Sequence, residues 1–203
     1  YKNFPLLRAY YLAFNVSKKP FDNADVRRAF ALSIDRKVFP KILRRGERPT
    51  SSWIPPALGG GGSDSGLDFN PEEGRRLLAR AGYPGGKGFP ETKLLYPNRE
   101  DVRLVVEATQ DEIKRNLGVK VELVNQEWKV YLATTRKDPP QMFRDSWGAD
   151  FPDPETFMNL FTSYNGNNHT RWHRVEYDRL IEAAEGEQDK NKRAELYRRA
   201  DVM

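Results

Sequence analysis

The sequence predicts an α/β (α+β) fold, a mixed sheet flanked by helices, and three observations carry that prediction. Short apolar runs of strand length alternate with longer stretches of helical periodicity over most of the 203 residues. Several of the helical stretches open on a capping residue, and three close on glycine. The alternation shows no internal repeat.

Residues 9–15 (Ala-Tyr-Tyr-Leu-Ala-Phe-Asn) are aromatic and apolar throughout, the pattern of a strand buried on both faces. Pro20 closes the turn after it, and Asp22 or Asn23 caps a helix that runs to about Ile34. Asp35 caps a second helix, which loses regularity at Pro40 and ends at Gly46. Residues 50–58 read as an extended, proline-containing segment with Trp53 and Ile54 buried. The run Gly-Gly-Gly-Gly-Ser at 59–63 has the composition of a flexible linker and looks like an engineered spacer. Asn70, Pro71 and Glu72 start a helix that Gly82 stops. Residues 92–96 read as a strand and 99–117 as a long amphipathic helix stopped by Gly118. Residues 119–124 alternate as a half-buried strand, with Val119, Val121 and Leu123 on one face. A short helix over 127–135 then precedes a strand over 141–146. A helix over 154–161, an Asn-rich loop over 162–170, and helices over 176–185 and 190–203 complete the chain.

Apolar residues make up 38% and charged residues 31%, so the surface is very polar, yet the composition is not that of a disordered chain. The net charge of +5 arises from 34 basic residues interleaved with 29 acidic ones. The arginine pairs at 27–28, 44–45, 75–76 and 198–199 fall on predicted helices and read as solvated faces, so no nucleic-acid partner is expected. The absence of cysteine excludes disulfides and thiol chemistry. No apolar run of membrane-spanning length, signal peptide or lipidation box is present. The sequence opens at Tyr1 without an initiator methionine, as expected of a processed or excised piece.

Several residue clusters suggest a chemistry and also have a plainer structural explanation. His169 and His173, spaced four apart, would share a helix face and could hold a metal, but their flanks carry no helical pattern and no Cys or Glu completes a ligand set. The run 82–88 (Gly-Tyr-Pro-Gly-Gly-Lys-Gly) imitates a phosphate loop, yet it follows a helix and Lys87 precedes Gly88 rather than Ser or Thr, so it reads as a turn. Asp145, Asp150 and Asp153 could supply the carboxylate pair of a glycoside hydrolase, but equally one binding and two structural carboxylates. No Gly-x-Ser-x-Gly nucleophile motif occurs. The chain is expected to be no enzyme and to need no cofactor.

The densest chemistry lies at 143–157, Phe-Arg-Asp-Ser-Trp-Gly-Ala-Asp-Phe-Pro-Asp-Pro-Glu-Thr-Phe. Pro152 and Pro154 keep this stretch out of a helix interior and push Phe151 and Asp153 toward extended conformations. Asp153 reads as a helix N-cap, with Pro154 at the first helical position and Glu155 in the first turn. That leaves Trp147 and Asp150, with Arg144 three residues further back. A partly dehydrated carboxylate beside an aromatic face suits an ammonium group, and a nearby Arg suits the carboxylate of the same zwitterion. The constellation fits an amino-acid-like or peptide ligand. The plainer alternative is a salt bridge of Arg144 with Asp150 or Asp145 beside a core Trp.

An ordered series of motifs resembles the bacterial extracellular solute-binding proteins of the oligopeptide, dipeptide and nickel class, which deliver ligands to ABC importers. The series begins with Tyr11-Leu-Ala-Phe-Asn15, Pro20-Phe-Asp22, Val26-Arg-Arg-Ala29 and Ser33-Ile-Asp-Arg36. It continues with Ile54-Pro-Pro56, Phe69-Asn-Pro-Glu-Glu73, Leu77-Leu78 and Ala81-Gly-Tyr-Pro84. Trp147-Gly-Ala-Asp-Phe-Pro-Asp-Pro154 with Phe157, then Asn165-Gly-Asn-Asn168 and Tyr177-Asp178, close it. The resemblance implies a single C-terminal lobe over residues 1–203, with an N-terminal lobe supplying the other wall of the ligand cleft. It implies that Asp150 holds a ligand α-ammonium, that Trp147 lies beside it, and that Arg144 is a cleft arginine. It further implies a periplasmic or extracellular location and, for the whole protein, the membrane subunits of an importer as partners; the exposed half-cleft could also self-associate. Ligand identity does not follow, because the family includes binders of nickel complexes, haem and sugars. Two departures, the spacer-like run at 59–63 and Arg44-Arg45 in place of a small or Gly-rich turn, fit a lobe re-engineered or selected to stand alone, and the rival expectation is a folding scaffold without ligand activity.

Overall fold

The computed structural model describes residues 6–59 and 67–203. Among them the order of elements is β1 (Arg8–Phe14), α1 (Ala24–Leu32), α2 (Phe39–Leu43), α3 (Pro71–Arg80), β2 (Lys93–Pro97), α4 (Glu100–Leu117) and β3 (Glu122–Gln126), followed by α5 (Trp128–Lys137), β4 (Met142–Gly148), α6 (Glu155–Met158), α7 (Val175–Gly186) and α8 (Lys190–Asp201). The described residues form two compact units. One, the sheet unit, holds 12–49 and 67–145; the other, the three-helix unit, holds 6–11, 50–59 and 146–203.

The four strands form one sheet in the order β1-β4-β2-β3. β2 runs parallel to both neighbours, with Leu94 opposite Leu123 of β3 and Met142 of β4. β1 joins β4 antiparallel: Asn15 N–H donates to the Gln141 carbonyl at one end and Ala149 N–H to the Leu7 carbonyl at the other. The sheet is therefore mixed, as the alternation of elements predicts.

The core of the sheet unit forms where Leu94, Tyr96 and Met142 meet Phe21, Val26, Ala29 and Phe30 around α1, Leu77 and Leu78 of α3, and Val102, Val106 and Ile113 of α4. Side chains of equal strand parity face the same way, which is why Leu94 and Tyr96 share this cluster while Leu95 and Phe143, buried as deeply, lie outside it. α5 packs on β2 and β3. Local chemistry sets the helix ends. Asn23 accepts from Asp25 N–H, and Asn70 accepts from Glu73 N–H with Pro71 at the first helical position. Gly118 closes α4 at φ 72°, and a Cβ there would stand 2.5 Å from the Gly85 carbonyl oxygen, so only glycine fits.

Four expectations need correction. β1 is an edge strand: only Ala13 is fully buried and Tyr10 is 53% exposed, so the aromatic run is spread over a partly covered surface. The helix expected from Asp35 to Gly46 is a single 3-10 turn (Arg36–Val38) followed by the five-residue α2, which stops at Arg44 in the left-handed region (φ 55°). β3 starts at Glu122; Val119 and Val121 are buried, but they belong to the stretch that brings the chain back from α4. The helix expected over 154–161 is a single α-turn, α6, tightening into a 3-10 turn over Asn159–Phe161. Of the Gly-rich run, Gly59 ends a 3-10 turn at φ 72°, and residues 60–63 lie outside the described residues.

The three-helix unit packs Ile54, Met158, Tyr177, Ile181, Ala184, Tyr197 and Ala200 into its own core, built from α6, α7, α8 and the segment around Trp53. Ile54 is buried as expected, and half-buried Trp53 donates its indole N–H to the Phe157 carbonyl at 2.6 Å. No helix among the described residues is long and apolar enough to cross a membrane.

Candidate functional site

The predicted site residues fall in different units. Arg144 belongs to the sheet unit, whereas Trp147 and Asp150 belong to the three-helix unit. Along β4 strand alternation puts Arg144 and Trp147, three residues apart, on opposite faces.

In the three-helix unit Thr156 organises the turn after β4. Its carbonyl accepts the Trp147 indole N–H at 2.6 Å, and its hydroxyl accepts the Asp150 main-chain N–H at 3.1 Å. Trp147 is half-buried and Asp150 is exposed. The Asp150 main chain is thus anchored, while its carboxylate makes no hydrogen bond or ion pair among the described residues.

Asp153 differs in every respect. Its Oδ1 accepts from Glu155 N–H at 2.9 Å, the service expected of a capping Asp, although the regular turn starts one residue later than expected. Arg193 of α8 grips the same carboxylate through both of its oxygens, at 2.7 and 2.9 Å. That bidentate pair, helped by the Glu155 N–H, holds the Asp153 carboxyl below the usual range against the opposing effect of burial. Both Asp153 oxygens are thus engaged in bonds that tie the start of α6 to α8.

In the sheet unit the carboxyl ends of β2 and β3 meet the starts of α4 and α5. Ligands of open α/β sheets characteristically bind at such strand ends. Asn98 N–H donates to the Gln126 carbonyl at 2.8 Å, extending the β2–β3 ladder by one rung. Beyond it Pro97, Asn98, Arg99 and Trp128 line a hollow of about 270 Å³. Trp128 is 52% exposed and stacks on Tyr131 with ring centroids 5.7 Å apart. The Tyr131 hydroxyl donates to the Arg144 carbonyl at 2.6 Å, which fixes the backbone at Arg144. Burial pushes the Tyr131 phenol up, with Asp145 adding to that and Arg144 opposing it. Sequence reasoning passed over Trp128; the available signal was a Trp opening a helix directly after a strand.

His169 and His173 sit in irregular backbone before α7 and share no helix face. The run 82–88 is a turn around Pro84–Gly86.

The fold is thus a mixed sheet flanked by helices, with Trp147 near the end of β4 and Asp150 in the turn that follows it. Residues 1–169 match the family model of the bacterial extracellular solute-binding proteins, family 5 (middle), and the chain belongs to that family. It is 34% identical to the oligopeptide-binding protein OppA of Bacillus subtilis (strain 168), over 97% of this chain and 38% of that protein. Identity to the periplasmic murein peptide-binding protein MppA of Escherichia coli (strain K12) is 32%, over 98% of this chain and 38% of that protein. Among solved structures, Haemophilus influenzae OppA in complex with RPPGFSPFR superposes with a TM-score of 0.88 at 32% identity, covering 97% of this chain and 40% of that one. A peptide-binding protein of a peptide ABC transporter superposes with a TM-score of 0.84 at 26% identity, covering 96% of this chain and 92% of that one. The chain therefore spans about two fifths of the length of the curated relatives it matches.

Proposed function

We propose that this chain is a solute-binding lobe of a periplasmic or extracellular binding protein serving an ABC importer, and that it contributes half of a peptide site. The α-ammonium of the peptide docks on the Asp150 carboxylate beside the Trp147 ring, combining a charge-assisted hydrogen bond with cation–π attraction. The wall opposite Asp150 comes from residues outside this chain, in keeping with its coverage of 38% of OppA.

Asp150 is the observation that carries the reading. A carboxylate retained for stability is paired, as Asp153 is with Arg193; that of Asp150 is held out to solvent on an anchored turn. Support also comes from the peptide-binding names of the relatives and from the peptide in the Haemophilus influenzae complex.

Isothermal titration tests it. With one wall, the Asp150 contact faces water and contributes only about 0–1 kcal/mol, as exposed ion pairs do. Short peptides should then bind this chain no tighter than about a millimolar. Joining a complementary lobe should restore affinity, and Asp150→Ala should then remove at least about a tenfold share of it. Equal affinity with and without Asp150 in the two-lobed form would overturn the assignment. A second reading is a lobe that folds alone without ligand activity; the solved chain of nearly equal length supports only the autonomous folding. That reading predicts that no peptide affinity returns with the complementary lobe.

A further inference from the structure

Arg193 has more polar partners than a surface ion pair needs. Its two terminal nitrogens grip Asp153; one of them also reaches Glu155 Oε2 at 3.3 Å and the Tyr197 hydroxyl at 3.0 Å. Nε donates to the Ala184 carbonyl near the end of α7 at 3.0 Å, and the guanidinium carbon lies 5.0 Å from the Tyr197 ring centre. One side chain thus joins α8, the end of α7 and the start of α6.

What it holds matters more. α6 is a single turn of four residues with no side-chain cap from its own N-cap residue, Pro154, so it has little stability of its own. Its first N–H is satisfied by the Asp153 carboxylate, and Thr156 N–H returns to the Asp153 carbonyl at 3.3 Å. Thr156 in turn fixes the Trp147 indole and the Asp150 main chain. Four steps, Arg193 to Asp153, to the α6 start, to Thr156, to Trp147 and Asp150, lie within one unit.

We propose that Arg193 is a positioning residue for the solute site: through Asp153 and Thr156 it sets where Trp147 and the Asp150 carboxylate stand. It touches no ligand itself. The inference rests on Trp147 and Asp150 being ligand contacts, but its first test needs no ligand.

That test is hydrogen exchange and chemical shift of the Trp147 indole N–H in this chain, assigned by its loss in Trp147→Phe. Arg193→Gln should displace the resonance and speed exchange of the indole and of Asp150 N–H by about tenfold, equivalent to about 1.4 kcal/mol less protection. Asp153→Asn should do the same, the double variant should add little to either single one, and Arg193→Lys should restore part of the effect. The Trp128 indole, in the sheet unit, should not move. Ser52→Ala, which removes a 2.6 Å bond to Asp201 in the same unit, supplies a destabilised control that should leave the Trp147 resonance in place. In the two-lobed form Arg193→Gln should weaken peptide binding by about five- to tenfold. An unmoved Trp147 resonance with unchanged affinity in Arg193→Gln overturns the proposal even if Asp150→Ala abolishes binding. Conversely, if Asp150→Ala leaves affinity unchanged, the ligand assignment fails whatever Arg193 does to the resonance.

Discussion

Asp150 and Asp153 carry the same side chain three residues apart, and their neighbours give them different roles. Asp153 has Arg193 and the Glu155 N–H as partners; the carboxylate of Asp150 has none among the described residues. Asp153→Ala loses a cap bond and a charge-assisted pair that is less than a third exposed, and should lower stability by about 1–3 kcal/mol in denaturant titrations. Asp150→Asn should change it by less than about 0.5 kcal/mol, as exposed substitutions do. The reverse order would reassign the site. The pH dependence follows from the depressed Asp153 pKa. An unfolded Asp titrates near about 3.9. The contribution of Asp153 is therefore fully present above that pH and is lost as pH falls through the lower folded value. The thermal midpoint gap between the parent chain and Asp153→Asn should be constant from neutral pH down to about 5 and shrink in stronger acid. A gap that widens in acid would contradict this assignment.

Among the elements, those with their own punctuation were legible in the sequence. Asn23, Asn70 and Gly118 mark real helix ends because each cap acts within a few residues of its own position. β1 and β3 differ from the sequence expectation in burial or start because hydrophobic patterning does not tell which strand ends up at a sheet edge, nor that Val119 and Val121 are buried outside the ladder. Gly118 offers a sharp test of backbone packing. Gly118→Ala puts a Cβ against the Gly85 carbonyl at a positive φ and should cost at least about 2 kcal/mol. A loss under half of that in denaturant titrations would mean that the 82–88 turn readily moves aside. Arg44 is the opposite case, a bulky residue at φ 55° where α2 ends. Arg44→Gly should leave stability unchanged or raise it by up to about 1 kcal/mol, relief of strain outweighing the added freedom of the unfolded chain. A clear loss in the same titration would show that the Arg44 side chain contributes more than its weak bond to the Lys41 carbonyl.

At the scale of the whole molecule, the order of motifs in the sequence pointed to the family, and the family match over residues 1–169 supports it. The support beneath the site was not legible. Thr156 acts partly through a main-chain carbonyl, which its side-chain identity does not announce, and Arg193 stands 37 positions along the chain from it, on another helix. The central claim is that Asp150 reads a peptide α-ammonium, and one thermodynamic cycle tests it most directly. In the two-lobed form, a short peptide and its N-acetylated counterpart are titrated against the parent and against Asp150→Ala. Acetylation removes the charge that Asp150 is proposed to hold, so the parent should prefer the free amine by about 1.5–3 kcal/mol, and Asp150→Ala should lose most of that preference. An acetylated peptide bound as well as the free one by the parent, or an equal preference in both proteins, would contradict the claim.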